Sequence, residues 1–141
     1  MACRESVVDA IGNTPLIRLR QASELTACTI LGKAEFMNPG RSVKDRPGKW
    51  MILGALARGD VERGGLVVES TGGNTGIGLT VVAKALGLRT TIVIPDTQSP
   101  GKKELLRICG AVCGVAALPF SNPDNYQHVG KCYKELGKYS A

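Results

Sequence analysis

The 141-residue chain predicts an α/β fold, a three-layer αβα unit built on a four-stranded, mainly parallel sheet. Three observations carry that expectation. From residue 29 onward, apolar runs and helix-periodic segments alternate at the spacing of βαβ units. The strand candidates are continuously apolar rather than alternating, as in parallel sheets covered on both faces. At Leu66–Leu79 (LVVESTGGNTGIGL) an apolar run breaks into glycines and hydroxyl residues, then opens a helical period.

Taken in order, Ser6 caps a short helix through Ile11, and Gly12-Asn13 ends it. Thr14-Pro15 leads into an extended segment at Leu16–Leu19. Thr29–Ala34 (TILGKA) is the expected first strand of the main sheet. Asn38-Pro39-Gly40 is turn chemistry. Val43–Arg58 follows as a helix, with Trp50, Leu53, Leu56 and Ala57 at helical spacing. Gly64-Gly65 turns the chain into a strand at Leu66. Asn74–Leu86 is a helix with Gly87 after it. Thr90–Ile94 is a third strand, closed by Pro95. Ser99 caps a helix to about Cys109, with Pro100 in its first position and Lys103 and Arg107 on its outer surface. Ala111–Val115 is the fourth strand, Pro119–Pro123 a loop, and Asp124–Leu136 a last, weaker helix.

Composition narrows the function. A net charge of +6 raises nucleic acid, but the basic residues are scattered and 4% aromatic content is too little for stacking platforms. No apolar run reaches membrane-spanning length, and MACRESVVDA lacks the apolar core of a signal peptide, so the expected compartment is the cytoplasm. Cys3, Cys28, Cys109, Cys113 and Cys132 have no framework spacing, and with His128 they lack the short knuckle of zinc sites. They read as reduced thiols, and no metal is expected.

Two stretches carry chemistry. After Leu66–Val68, free N–H groups at a helix start make an anion site, to which Thr71 and Thr75 add hydroxyls and Asn74 an amide. The ligand expected there carries a carboxylate or a phosphate. The glycines match neither the G-x-G-x-x-G dinucleotide pattern nor a P-loop. The second stretch is Asn38–Arg46 (NPGRSVKDR). A lysine in the first turn of a helix opposes the helix dipole, and that placement favours the neutral amine of a nucleophile.

NPGRSVKDR followed by ESTGGNTGIGL resembles the cysteine synthase family of fold-type II pyridoxal-phosphate enzymes, which includes cystathionine β-synthase. IGNTPLIRL (Ile11–Leu19) is similar to the segment that opens those enzymes. KWMI (Lys49–Ile52) and LPFSNPDNY (Leu118–Tyr126) resemble one cysteine synthase subgroup. The resemblance implies that Lys44 is catalytic, forming the Schiff base with pyridoxal 5'-phosphate and taking the substrate's α-proton. Asn74 matches the residue that hydrogen-bonds the cofactor's phenolic oxygen. Thr71, Gly72, Asn74 and Thr75 match the loop that grips the substrate α-carboxylate. The implied reaction is β-replacement, O-acetyl-L-serine and sulfide giving L-cysteine and acetate.

Gly72 stands where the family usually has Ser or Ala, and Arg41 where it often has Gly. Family members are more than twice this long, and the chain resembles roughly their N-terminal two-fifths. The loop that binds the cofactor's phosphate is not matched. Residues 29–141 are therefore expected to form the family's small domain, and residues 1–28 to pack on a larger domain. A cystathionine β-synthase-like condensation of serine is the enzymatic alternative. A non-catalytic chain that binds a carboxylate or a partner peptide is the other, since the family's site receives the C-terminal tail of serine acetyltransferase. The resemblance also implies a homodimer for full-length members.

Overall fold

The first turn is built by reciprocal capping. Ser6 Oγ accepts from the Val8 N–H at 3.2 Å, and Asp9 Oδ2 accepts from the Ser6 N–H at 3.2 Å, closing a 3-10 turn over Val7–Ala10. Gly12 and Asn13 then take left-handed φ values of 99° and 48° and turn the chain away. The computed structural model describes residues 3–71 and 73–116, the side chains of 113–116 excepted.

A two-stranded ribbon follows. Strand β1 (Leu16–Arg18) pairs antiparallel with β2 (Leu31–Lys33), with Ile17 opposite Gly32, and helix α1 (Arg20–Thr26) bridges them. Ser23, buried in α1, ties the bridge down: its hydroxyl donates to the Leu19 carbonyl at 2.8 Å and accepts from the Ile30 N–H at 3.0 Å. Here the sequence expectation needs correction. The TILGKA strand belongs to this ribbon and not to the main sheet, which among the described residues has three strands rather than four. Its only strand partner among the described residues is β1, antiparallel to it across the short helix α1.

The main sheet is parallel throughout, in the order β3 (Leu66–Ser70), β4 (Arg89–Pro95), β5 (Val112–Ala116). Its central strand, β4, is buried from Thr90 to Pro95, as continuous apolar strands in covered sheets are. Helices α3 (Asn74–Ala85) and α4 (Pro100–Cys109) share one face of it. Ile77 of α3, Leu106 of α4 and Ala111 join Ile92 and Ile94 of β4 in a single apolar cluster. The helix expected at Asp124–Leu136, the loop at Pro119–Pro123, His128 and Cys132 lie outside the described residues. So does any second helical layer they would form.

The opposite side of α3 faces α2 (Asp45–Arg58). Ile52 of α2 packs with Leu79, Val82 and Ala83 of α3, with Leu88, and with Val8 and Ile11 from the first turn. The buried stripe of α2 is Asp45, Gly48 and Ile52, an i, i+3, i+7 series, whereas Trp50 is 69% exposed. Of the expected stripe, Leu56 packs against this core while Trp50 does not, and the most buried positions are those where α2 and α3 cross at glycines. A β-carbon built on Gly48 would stand 2.9 Å from the Gly78 carbonyl carbon, so only glycine lets the two backbones meet. No helix among the described residues is long and apolar enough to cross a membrane.

Candidate active site

The loop that delivers Lys44 is organised by a buried amide. Asn38, 2% exposed, donates from Nδ2 to the Glu35 carbonyl (2.9 Å), to Glu35 Oε2 (2.8 Å) and to the Ser42 carbonyl (3.1 Å). Its Oδ1 accepts from the Gly12 N–H at 2.9 Å, joining the first turn to this loop. Both ends of the amide are thus engaged, with three backbone groups and one carboxylate, a satisfied buried polar group of the kind that fixes geometry. Arg41, between them, has φ 63°, a left-handed conformation that glycine adopts more readily.

An ionic cluster anchors the same loop from the other side. Arg46 donates from Nε to Glu35 Oε2 (2.8 Å) and from Nη2 to Glu35 Oε1 (2.9 Å) and Thr14 Oγ1 (3.0 Å), while Thr14 Oγ1 donates to Glu35 Oε1 (2.8 Å). The Arg46 fork above all, with Thr14 and Asn38, holds the Glu35 carboxyl at about 2 against its usual 4.5, and burial opposes them.

Lys44 stands at the N-cap of α2, its N–H donating to Ser42 Oγ at 3.1 Å. Its side chain is exposed, and among the described residues the ammonium has no hydrogen-bond or ion-pair partner. Asp45 beside it is fully buried and accepts from the Gly40 N–H. Burial pushes its carboxyl up, against the Gly40 N–H, its own N–H and the Ser42 hydroxyl.

The second stretch starts where β3 ends. Thr71 is buried; its N–H donates to the Val93 carbonyl (3.1 Å) and its Oγ1 accepts from the Gly73 N–H (3.3 Å). That hydroxyl therefore shapes the turn. Gly72 lies outside the described residues. Gly73, at φ 144°, is the N-cap of α3, and it has no side chain to close the helix start. Asn74 is exposed and Thr75 half-buried, and neither side chain has a hydrogen-bond partner among the described residues. The N–H groups of the first turn of α3 likewise lack partners within the helix, so the helix start has donors to offer an anion.

The helix crossing brings the two stretches together. A β-carbon built on Gly78 would lie 2.7 Å from the Lys44 carbonyl oxygen and 3.0 Å from the Asp45 Cα. Gly78 is about one turn, roughly 6 Å along the axis, beyond Asn74. Lys44 is thereby seated alongside the first turns of α3. A further cation joins from α4: a β-carbon on Gly73 would meet Lys102 Cδ at 3.2 Å and Nζ at 3.8 Å. Asn38, Asp45 and Lys102 were not legible as site residues. Asn38 reads as turn chemistry, Asp45 as a surface partner for Lys44, and Lys102 as one more charge on α4.

An exposed unpaired amine, an exposed amide and a helix N-terminus with a nearby ammonium are the donor set that an anionic carbonyl compound needs. Pyridoxal 5'-phosphate and an amino-acid carboxylate both fit it.

Residues 7–139 match the family model described as pyridoxal-phosphate dependent enzyme. The chain is 53% identical over 132 residues to cysteine synthase 1 of Neurospora crassa, covering 93% of this chain and 35% of that protein. It is 52% identical over 130 residues to cysteine synthase 1 of Emericella nidulans, covering 92% and 35%. Among solved structures, O-ureido-L-serine synthase superposes with a TM-score of 0.87 at 32% identity, over 96% of this chain and 43% of that one. The chain spans about a third of the length of the curated relatives it matches.

Proposed function

Because the chain belongs to the pyridoxal-phosphate dependent enzyme family, we propose that it carries the lysine-bearing half of a cysteine synthase-type site. The reaction is β-replacement: O-acetyl-L-serine gives up acetate, sulfide takes its place at the β-carbon, and L-cysteine leaves. Lys44 Nζ holds the cofactor and later carries the proton from the substrate's α-carbon. Asn74 orients the cofactor through its side-chain amide. The N–H groups at the start of α3, with Thr71, Gly72, Asn74 and Thr75, bind the substrate α-carboxylate. The cofactor, when bound, supplies the sink for the electron pair left at the α-carbon.

The observation that supports this reading is the contact of Gly78 with the Lys44 backbone, which sets the residue bearing the unpaired amine alongside α3, a helix whose start has no side-chain cap. In the same reading residues 29–141 are the small domain, and residues 1–28 meet the family's larger domain through the exposed Leu16, Ile17 and Leu19. The carboxylate cradle would also receive a partner's C-terminal carboxylate, such as the tail of serine acetyltransferase. Full-length members would pair as homodimers in the cytoplasm.

The test is borohydride reduction of the chain with pyridoxal 5'-phosphate, followed by peptide mapping. One adduct at Lys44, absent in Lys44→Ala, is the expected result. Label spread over surface lysines would refute the reading.

A further inference from the structure

Among the described residues, Asp45 is the one charged side chain that is buried, and it lies next to the lysine on which the proposed chemistry depends. One carboxylate oxygen, Oδ2, accepts from the Gly40 N–H. The other, Oδ1, is buried with no hydrogen-bond partner. A β-carbon built on Gly40 would stand 2.5 Å from Oδ1 and 2.9 Å from Oδ2, so the Asn38–Ser42 turn lies flush on the carboxylate. From the other side the Asp45 Cα lies against Gly78 of α3. The residue thus sits where the turn, the start of α2 and the middle of α3 converge.

A surface ion pair with Lys44 is the ordinary reading of a Lys-Asp dipeptide, and it does not hold here. The Lys44 side chain is exposed while the Asp45 carboxylate faces inward onto Gly40. A carboxylate that gains no cation from its burial is costly as a charge and useful as an acceptor.

We propose that Asp45 is a positioning residue for Lys44, acting as the hydrogen-bond acceptor that holds the Gly40 turn and not as a charge. It touches neither cofactor nor substrate. The turn it holds fixes Ser42, whose hydroxyl accepts from the Lys44 N–H and so sets the lysine's place at the head of α2. Together with the Gly78 contact, the bond to Gly40 restrains the Lys44 backbone from two sides. The role of Lys44 rests on the function proposed above, whereas the role of Asp45 in holding the turn does not.

The experiment compares the 141-residue chain with Asp45→Asn, Asp45→Ala and Gly40→Ala, each checked for folding by circular dichroism. Two readouts are taken: amide hydrogen exchange over residues 38–46, and borohydride-trapped pyridoxal 5'-phosphate at Lys44. Asp45→Asn keeps an acceptor oxygen for Gly40 and loses the charge, so both readouts stay within about twofold of the unaltered chain. Asp45→Ala speeds exchange at Gly40 and Lys44 by about tenfold and cuts trapping by a similar factor, as loss of one buried hydrogen bond predicts. Gly40→Ala leaves the carboxylate in place but prises the turn off it, and reproduces the alanine variant's exchange without opening a cavity.

If Asp45→Asn behaves like Asp45→Ala, the charge is what matters and the proposal fails. It also fails if Gly40→Ala, or a folded Asp45→Ala, exchanges and traps like the unaltered chain. Absence of trapping in the unaltered chain overturns the function proposed for Lys44, and the exchange data then decide the role of Asp45 alone.

Discussion

Gly78 of α3 rests on the carbonyl of Lys44, so close that a β-carbon there would stand 2.7 Å from the oxygen. The contact is reciprocal along the crossing, since Gly48 of α2 meets the Gly78 carbonyl carbon at 2.9 Å from its own β-carbon position. Two helices separated in sequence by a strand are held backbone to backbone, and the candidate lysine is at the point of closest approach. Core packing and site assembly are here one feature.

Gly78→Ala should therefore cost stability and trapping together. The added methyl meets backbone that cannot swing aside, an overpacking cost of about 1–3 kcal/mol that outweighs the helix-propensity gain of alanine, about 1 kcal/mol. Gly54 in α2 is the control. Its β-carbon would meet only the mobile end of Arg58, at 3.1 Å, so Gly54→Ala should be neutral or stabilising by up to about 1 kcal/mol. Urea unfolding of both variants, with Lys44 trapping alongside, checks the contrast.

Arg41 provides a substitution in the opposite direction. It holds φ 63° in the turn between Asn38 and Ser42. A non-glycine residue pays roughly 1 kcal/mol there, and the exposed Arg41 side chain has no ion pair among the described residues to offset it. Arg41→Gly should raise stability by up to about 1 kcal/mol, less the greater backbone entropy of glycine in the unfolded chain. A fall in the urea midpoint would refute the strain argument.

The regular part of the fold was legible because its signals are local. The Leu66 run, Gly87 at φ 75° and the Pro100 helix start each announce an element within a few residues. What escaped was non-local or unpunctuated. The three residues of β2 say strand but not which sheet, and their partner β1 lies across α1. That helix has no side-chain cap and ends at Ala27 with φ 52°, so neither terminus carries a helix signal. The core face of α2 hid because two of its three buried residues are Asp45 and Gly48. At the site, Lys44 and Asn74 stood out by type and spacing. Lys102 could not, since only the packing of α4 brings it to Gly73.

Lys102 is the cheapest test of the anion reading. It is exposed, and its ammonium is 3.5 Å from Gln98 Oε1, a weak tether on the same helix. Lys102→Ala should leave the urea midpoint within about 0.5 kcal/mol, as surface substitutions do. Binding of an amino-acid carboxylate, followed by titration with O-acetyl-L-serine in the cofactor-loaded chain, should weaken about two- to fivefold, in keeping with an exposed charge contact. Added salt should shrink the difference. Equal affinities at low salt would place the carboxylate elsewhere.

The two inward carboxylates respond to acid with opposite signs. Glu35 is held at about 2 by Arg46, Thr14 and Asn38, below its usual 4.5. Its contribution to stability is therefore complete above pH 4.5 and is lost as pH falls toward 2. Asp45 is pushed up by burial, so its ionised form opposes folding above the raised value and protonation relieves that as pH falls. Glu35→Gln should accordingly be less stable than the unaltered chain at pH 7, the gap narrowing between pH 4.5 and 2. Asp45→Asn should be as stable or more so at pH 7, and lose any advantage on acidification. Urea unfolding at pH 7, 4 and 2.5 separates them. Gaps that narrow in the same sense for both variants would mean that Asp45 is stabilised as a charge, against the burial that outweighs the Gly40 N–H, its own N–H and the Ser42 hydroxyl.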